Sequence, residues 1–204
     1  AFFHSALFYE EGNQIELARA ALAAAKQNEY RLNERMRFEM NALRFLHDKD
    51  RERQDEVLRQ WSTLYPEDAQ AWRARWRLYQ DQGRLDEAIA AALREYALDP
   101  EAPNMVGELA YLFKRAGRPK EALPYLEKYE ARFPKDAQGP LYLGDLYRSI
   151  GEYEKARNFY QKALVIDPEN ASALRGECVV DSRLGQATHA LSQCQRAIAR
   201  SNTP

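Results

Sequence analysis

The chain has 204 residues, and its 30 basic and 31 acidic side chains leave a formal net charge of −1 at neutral pH. Apolar residues make up 45% of the chain and charged residues 30%, a balance that is typical of a folded, water-soluble protein and excludes collagen-like and low-complexity chains. The near-neutral net charge argues against nucleic-acid binding driven by a strongly positive protein. No apolar run approaches the roughly 20 residues that span a membrane.

A period of 34 residues runs through most of the sequence. One proline, one glycine and one alanine return in each period: Pro66, Pro100, Pro134 and Pro168; Gly83, Gly117, Gly151 and Gly185; Ala88, Ala122, Ala156 and Ala190. Because three residue types keep the same spacing, we predict a repeat protein. The predicted repeats, which together form a single domain over residues 1–204, are 1–34, 35–68, 69–102, 103–136, 137–170 and 171–204.

The first two repeats are the least regular. Repeat 1–34 carries one additional residue after Gly12 in its central turn, and its matching residues are Ala6, Tyr9, Ala18, Leu22 and Ala25. Repeat 35–68 retains Phe38, Ala42, Phe45 and Pro66.

Within repeat 137–170 the apolar residues have helical spacing. They are Leu143, Gly144 and Tyr147 before the turn, and Ala156, Tyr160, Ala163 and Leu164 after it. Each set lies on one face of a helix. The repeating unit is therefore predicted to be helix–turn–helix, and no segment has the pattern of a strand.

The predicted helix ends follow from residue chemistry. Gly151 takes the left-handed conformation that ends a helix without a Cβ clash, and Pro168 cannot continue the second helix. Asp68, Asp136 and Asn170 stand where the following helix needs an N-cap.

These offsets resemble the tetratricopeptide-repeat (TPR) family, whose pattern runs Leu–Gly, Tyr, Gly, Ala, an aromatic residue, Ala and Pro. The matches are Leu143, Gly144, Tyr147, Gly151, Ala156, Tyr160, Ala163 and Pro168 in repeat 137–170; Trp72, Tyr79, Gly83, Ala88 and Pro100 in repeat 69–102; and Leu109, Ala110, Phe113, Gly117, Ala122 and Pro134 in repeat 103–136. The resemblance implies an all-α, right-handed superhelical solenoid of about six repeats, whose first helices line a concave, peptide-binding groove.

Antiparallel helices should bring the eighth and twenty-fourth positions of each repeat face to face, with a small residue against a large one. The pairs are Ala42–Leu58, Trp76–Ala92, Ala110–Leu126, Gly144–Tyr160 and Cys178–Cys194. We predict that Cys178 and Cys194 are buried free thiols, because packed helix axes lie about 8–10 Å apart and disulfide Cα atoms about 4.4–6.8 Å apart. Two small facing residues could narrow that gap. Glu95 stands where a small apolar residue is usual, and Asp181 replaces the usual tyrosine in the final repeat.

No catalytic or metal-binding motif is recognisable. His4, His47 and His189 lie in three different repeats without ligand spacing, and the sequence has no Gly-rich phosphate loop and no nucleophile elbow. We therefore predict no enzymatic activity, no catalytic residues, no metal and no cofactor.

First-helix positions outside the buried stripe are predicted to line the groove. In the last four repeats the basic residues at these positions are Arg73, Arg77, Lys114, Arg115, Arg148, Arg175 and Arg183. The acidic residues are Asp81, Glu108 and Asp145, and Tyr111 and Tyr142 are interleaved with the charged residues. Positive potential focused in a groove attracts acidic ligands, and arginine pairs with carboxylates. The alternative, that Glu39, Glu108 and Asp145 neutralise these arginines within the protein, stays open. The Lys and Asn set that clamps chaperone C-terminal tails in some family members is absent.

The corresponding positions of the first two repeats are apolar: Phe3, Leu7, Met36, Met40, Leu43 and Leu46. An exposed apolar strip of this size usually marks a contact surface. It could receive an amphipathic helix of a partner protein or another domain of the same full-length chain.

The function favoured by the sequence is a non-catalytic scaffold that binds a protein or peptide, with acidic ligands preferred. The alternative is a regulatory or ligand-sensing segment of a larger protein, since residues 31–43 (RLNERMRFEMNAL) resemble TPR arrays attached to bacterial kinases and winged-helix regulators. Two cysteines are too few for a disulfide scaffold. A cytoplasmic location is predicted, with the periplasm left open.

Overall fold

In the computed structural model, which describes residues 2–12 and 14–201, the described chain forms twelve α-helices and no strand. In chain order they are α1 (Phe2–Glu11), α2 (Ile15–Gln27), α3 (Glu34–His47), α4 (Arg51–Leu64), α5 (Ala69–Asp81), α6 (Leu85–Leu98), α7 (Pro103–Arg115), α8 (Leu123–Arg132), α9 (Gln138–Ser149), α10 (Tyr153–Ile166), α11 (Ala171–Arg183) and α12 (Ala187–Ser201). Short 3-10 helices at Glu29–Arg31 and Pro119–Ala122 precede α3 and α8. Each 34-residue repeat contributes two helices, which confirms the all-α helix–turn–helix prediction.

Side chains at the predicted N-caps begin several helices. The Asp68 carboxylate accepts a hydrogen bond from the Gln70 amide, and the Asn170 amide oxygen accepts one from the Ala173 amide, so each satisfies a donor that the first turn leaves free. Asp136 lies one residue before the N-cap position that was predicted for it. The N-cap position of α9 is Ala137, and the Asp136 carboxylate accepts from the Gln138 amide at 2.9 Å.

The turn between the two helices of a repeat needs a residue with positive φ. Gly151 supplies it with φ 82°, as predicted, whereas Lys49 occupies the same repeat position in residues 35–68 with φ 58°. A side chain in the left-handed region crowds its own backbone, which costs about 1–2 kcal/mol.

We expect Lys49→Gly to raise the free energy of unfolding by about 0.5–1 kcal/mol, since relief of this strain exceeds the entropy that glycine loses on folding. Urea unfolding followed by tryptophan fluorescence measures it, because Trp61, Trp72 and Trp76 all precede residue 99. Lys49→Ala keeps a Cβ and is the control. An equal gain in both variants would contradict the backbone explanation.

The chain divides into two compact units, residues 1–98 with α1–α6 and residues 99–204 with α7–α12. In the first unit, Phe3, Ala6, Leu22, Ala25 and Met40 form an apolar cluster between α1, α2 and α3. Phe3 is 2% exposed and Met40 0%. Their predicted place in an exposed contact strip is therefore wrong, because the three helices close over them.

In the second unit the core centres on Tyr160, which is fully buried. A Cβ placed on Gly144 lies 2.8 Å from the Tyr160 ring, and one placed on Gly176 lies 2.3 Å from it. The ring thus fills space left by two glycines, one in its own repeat and one in the next. The predicted Gly144–Tyr160 pairing is confirmed.

Cys178 and Cys194 form a disulfide between α11 and α12, with Cα atoms 5.2 Å apart. The prediction of buried free thiols is therefore wrong. Two small side chains at facing positions let these helices approach within the Cα separation that a disulfide requires. Across the part of the chain that the structure covers, no helix has both the length and the apolar character needed to cross a membrane.

Candidate functional site

An open pocket of about 330 Å³ lies in the first unit. Most of its wall comes from the first helices of three consecutive repeats, α1, α3 and α5. The lining residues are Leu7, Glu39, Ala42, Leu43, Leu46, Gln54, Trp61, Gln70, Arg73, Ala74, Arg77 and Leu78. The first helices of these repeats therefore line one open pocket, and Leu7, Leu43 and Leu46 of the predicted apolar strip belong to its wall. Met36 packs on the core cluster beside this pocket.

Arg73 is neutralised within the first unit. Its Nε lies 2.7 Å from Oε1 of Glu95, whose second oxygen, Oε2, accepts a hydrogen bond from Nε1 of Trp76 at 2.6 Å. Glu95 is buried. A carboxylate is tolerated in a protein interior when charged and polar groups donate hydrogen bonds to its oxygens. This explains the glutamate that departs from the small apolar residue usual at its position.

Arg77 lies one helical turn after Arg73 on the same pocket wall and is exposed. Its guanidinium carbon lies 5.4 Å from the centre of the Trp76 ring. It forms no ion pair with the residues that the structure describes. Arg77 therefore places a positive charge without a described carboxylate partner on the pocket wall.

Glu39 is the acidic residue of the pocket wall. Burial raises the pKa of its carboxyl above the ordinary value, and the opposing effect of Arg35 is smaller. Arg35 lies 3.6 Å from the Glu39 carboxylate, so Glu39 pairs with an arginine outside the predicted groove set. The hypothesis that Glu39 neutralises the groove arginines is not supported by this pairing.

A smaller pocket of about 180 Å³ lies in the second unit. It is lined by Gly107, Ala110, Tyr111, Lys114, Tyr142, Asp145 and Leu146, and it brings together four predicted site residues from α7 and α9. The Tyr142 ring lies against Gly107, where a Cβ would be 2.6 Å from its Cζ. Burial raises the pKa of Tyr142, and Glu108, Asp136 and Asp145 raise it further. The phenol therefore stays protonated and able to donate a hydrogen bond.

The predicted groove cations of the second unit fall into two groups. Arg148 is neutralised internally, since Nη2 lies 3.0 Å from Asp145 Oδ1 and Nε donates to the Tyr160 hydroxyl at 2.9 Å. The other four, Lys114, Arg115, Arg175 and Arg183, are exposed and have no carboxylate partner among the residues that the structure describes. Both Lys114 and Arg115 lie 5.7 Å from the centre of the Tyr111 ring.

The neutralisation that the sequence left open therefore applies to Arg73 and Arg148. Asp145 is the partner that the sequence suggested for an arginine, whereas Glu95 was missed. Arg175 and Arg183 lie on α11, outside the pocket lining. Glu95 lies on the second helix of its repeat, nineteen or more residues after its partners Arg73 and Trp76. At that separation the sequence gives no local signal that the residues pair.

A family model described as tetratricopeptide repeat matches residues 51–103 and 108–171. Protein O-mannosyl-transferase Tmtc3 of Drosophila melanogaster is 30% identical over 123 residues, a match that covers 58% of this chain and 13% of that protein. So small a share of the relative gives no ground for assigning its activity to this chain.

Several solved structures have a similar fold. A tetratricopeptide repeat protein from Parabacteroides merdae has a TM-score of 0.76 at 12% identity, covering 99% of this chain and 79% of its own. MamA from Desulfovibrio magneticus has a TM-score of 0.67 at 20% identity, covering 85% and 99%. YrrB, described as a TPR protein with an unusual peptide-binding site, has a TM-score of 0.60 at 18% identity, covering 87% and 90%. At these identities the likeness shows the fold alone.

Proposed function

Because the chain belongs to the tetratricopeptide-repeat family, we propose that it is a non-catalytic scaffold that binds a segment of a partner protein on the first helices of its repeats. The observation that carries the proposal is the pocket in the first unit, where α1, α3 and α5 together enclose about 330 Å³. Ligand pockets are concave and mostly apolar, with a few polar groups that fix orientation. The peptide-binding site named for YrrB is consistent with this use of the fold.

The chemistry of the wall favours one kind of ligand. Leu7, Leu43 and Leu46 offer an apolar surface, and Arg77 adds a cation at its edge. An apolar side chain of the ligand fits against the leucines while a neighbouring aspartate or glutamate pairs with the guanidinium. We therefore propose a peptide in which apolar and acidic residues alternate or adjoin.

The pocket of the second unit supports a second contact of the same kind. Tyr111 is exposed, Tyr142 is half-buried, and Lys114 stands beside them. Tryptophan, tyrosine and arginine carry much of the energy of protein interfaces. Arg115 extends this positive surface on α7, so an acidic segment suits both units.

The test replaces Arg77 with glutamate. We expect about a tenfold loss of affinity, equivalent to roughly 1.4 kcal/mol, for fluorescein-labelled peptides that combine leucine or phenylalanine with aspartate or glutamate. Fluorescence anisotropy at low salt measures it, and wild-type binding should weaken as salt rises. Arg115→Glu tests the second unit in the same way.

Arg94→Glu is the matched control. Arg94 is exposed on α6 in the same unit but does not line the pocket, so the same change of charge should leave affinity within about twofold. Equal losses in the two variants would mean that net charge, not the pocket, governs binding. An unchanged affinity in Arg77→Glu would remove that residue from the site.

Two finer predictions of the sequence stay predictions. One is that the chain is a regulatory segment of a larger kinase or transcriptional regulator. The other is a cytoplasmic location. The Cys178–Cys194 disulfide argues against it, because disulfides persist mainly in oxidising compartments. We favour the periplasmic alternative for this reason.

A further inference from the structure

Three potential metal ligands come together in the final repeat. Glu177 and Asp181 lie one turn apart on α11, and His189 lies on α12. One ligand atom from each residue falls within 4.8 Å of the others. Glu177 is 1% exposed and Asp181 0%, so two carboxylates are withdrawn from water at the place where the family usually has a tyrosine.

Both carboxylates have an unsatisfied oxygen. Oε2 of Glu177 and Oδ1 of Asp181 are buried without a hydrogen-bond partner. A buried polar group without a hydrogen-bond partner destabilises the folded state, more strongly when it is charged, and native proteins leave few such groups. A ligand that contacts both oxygens removes this cost.

The neighbouring groups do not supply that contact. Nδ1 of His189 lies 2.5 Å from Oδ2 of Asp181, and Gln161 donates to Oε1 of Glu177 at 2.8 Å, so each uses the oxygen that is already satisfied. Nη1 of Arg157 lies 3.9 Å from Asp181 Oδ1, beyond hydrogen-bonding distance. Even a protonated His189 therefore leaves both oxygens without a hydrogen bond, and Asp181 Oδ1 has only the 3.9 Å ion pair with Arg157.

We propose that Glu177, Asp181 and His189 bind a divalent transition-metal cation, with Zn²⁺ the best match. Zinc takes imidazole nitrogen and carboxylate oxygen at about 2.0–2.2 Å, and three protein ligands leave a fourth position for water. Magnesium and calcium prefer all-oxygen sites and have little affinity for imidazole. Binding replaces the His189–Asp181 hydrogen bond, and any proton on Nδ1 is released as the nitrogen lone pair coordinates the metal.

The residues around Glu177, Asp181 and His189 support metal binding at this position. The hydrogen bond from Gln161 orients Glu177, as outer partners orient metal ligands elsewhere. The Cys178–Cys194 disulfide joins the two helices that carry the ligands. His189 is half-exposed at its side chain, so the imidazole can adjust by the small distance that coordination requires.

The test is calorimetric titration of ZnCl₂ into the chelator-stripped, oxidised full chain at neutral pH. We expect one Zn²⁺ per chain and a raised unfolding temperature on binding, with no competition from MgCl₂. His189→Gln and Glu177→Gln should each weaken the affinity at least about tenfold. Arg157→Gln should tighten it, because it removes a positive charge beside the cation.

His4→Gln is the matched control, since His4 is exposed in the first repeat and its loss should leave the affinity unchanged. CoCl₂ gives a second readout through its visible absorption spectrum, which reports coordination and should be absent in His189→Gln. The absence of saturable Zn²⁺ binding would overturn the proposal. So would equal affinities in wild type and His189→Gln, a variant of a half-exposed residue that is expected to fold.

Discussion

Replacing Gly176 with alanine is expected to destabilise the second unit by about 2 kcal/mol. A Cβ at this position lies 2.3 Å from two carbon atoms of the Tyr160 ring. The ring cannot withdraw, because it is fully buried and its hydroxyl donates to Asp145 while it accepts from Arg148. Overpacking of this severity costs about 3 kcal/mol, and the better helix propensity of alanine offsets about 1 kcal/mol of it.

Gly107→Ala separates a steric effect from a general effect of alanine. Its Cβ would lie 2.6 Å from Cζ of Tyr142, but this is the far end of a half-buried side chain that can swing aside. We expect a change within about 0.5 kcal/mol. Urea unfolding followed by far-ultraviolet circular dichroism measures both variants. A Gly176→Ala midpoint equal to that of Gly107→Ala would show that the Tyr160 ring is not confined.

The fold was largely predictable because its signals are local and repeated. The prolines and glycines that end helices act through their own backbone, and Asp68 and Asn170 cap the helix that follows them. One repeat period therefore defines the pair of helices in each repeat. The exception at Asp136 is a shift of one residue, which is the scale on which helix ends vary.

The two pockets were predictable only in part. The pocket residues Tyr111, Lys114, Tyr142 and Asp145 come from predicted groove offsets, but the same reasoning placed Phe3 and Met40 on the surface. Their burial depends on how closely α1, α2 and α3 pack, and apolar spacing alone does not tell a pocket wall from a core.

Ion pairs and ligand clusters were the hardest to foresee. Glu177, Asp181 and His189 span two helices, and their shared burial depends on a hairpin whose facing positions are two cysteines. The sequence offered one signal, an aspartate in place of a tyrosine. That signal indicates a polar repeat end as readily as a cation site, because spacing does not reveal which oxygens lack a partner.

Replacing Glu95 with alanine is expected to lower the free energy of unfolding of the first unit by about 2–3 kcal/mol. The substitution leaves the buried indole Nε1 of Trp76 without an acceptor and removes the carboxylate from Arg73. The loss is at the lower end for a broken buried ion pair, since the Arg73 side chain is 48% exposed and can be hydrated. Tryptophan fluorescence during urea unfolding reports this unit.

Glu87→Ala on the same helix is the control, because Glu87 pairs with Arg84 at an exposed position where loss of the pair costs less than about 1 kcal/mol. A double-mutant cycle with Trp76→Phe isolates the indole contribution. Because phenylalanine needs no acceptor, Glu95→Ala should cost at least about 1 kcal/mol less in that background. Strict additivity would show that Glu95 acts only through Arg73, whereas a cost equal to that of Glu87→Ala would show that the buried carboxylate contributes nothing to stability beyond a surface pair.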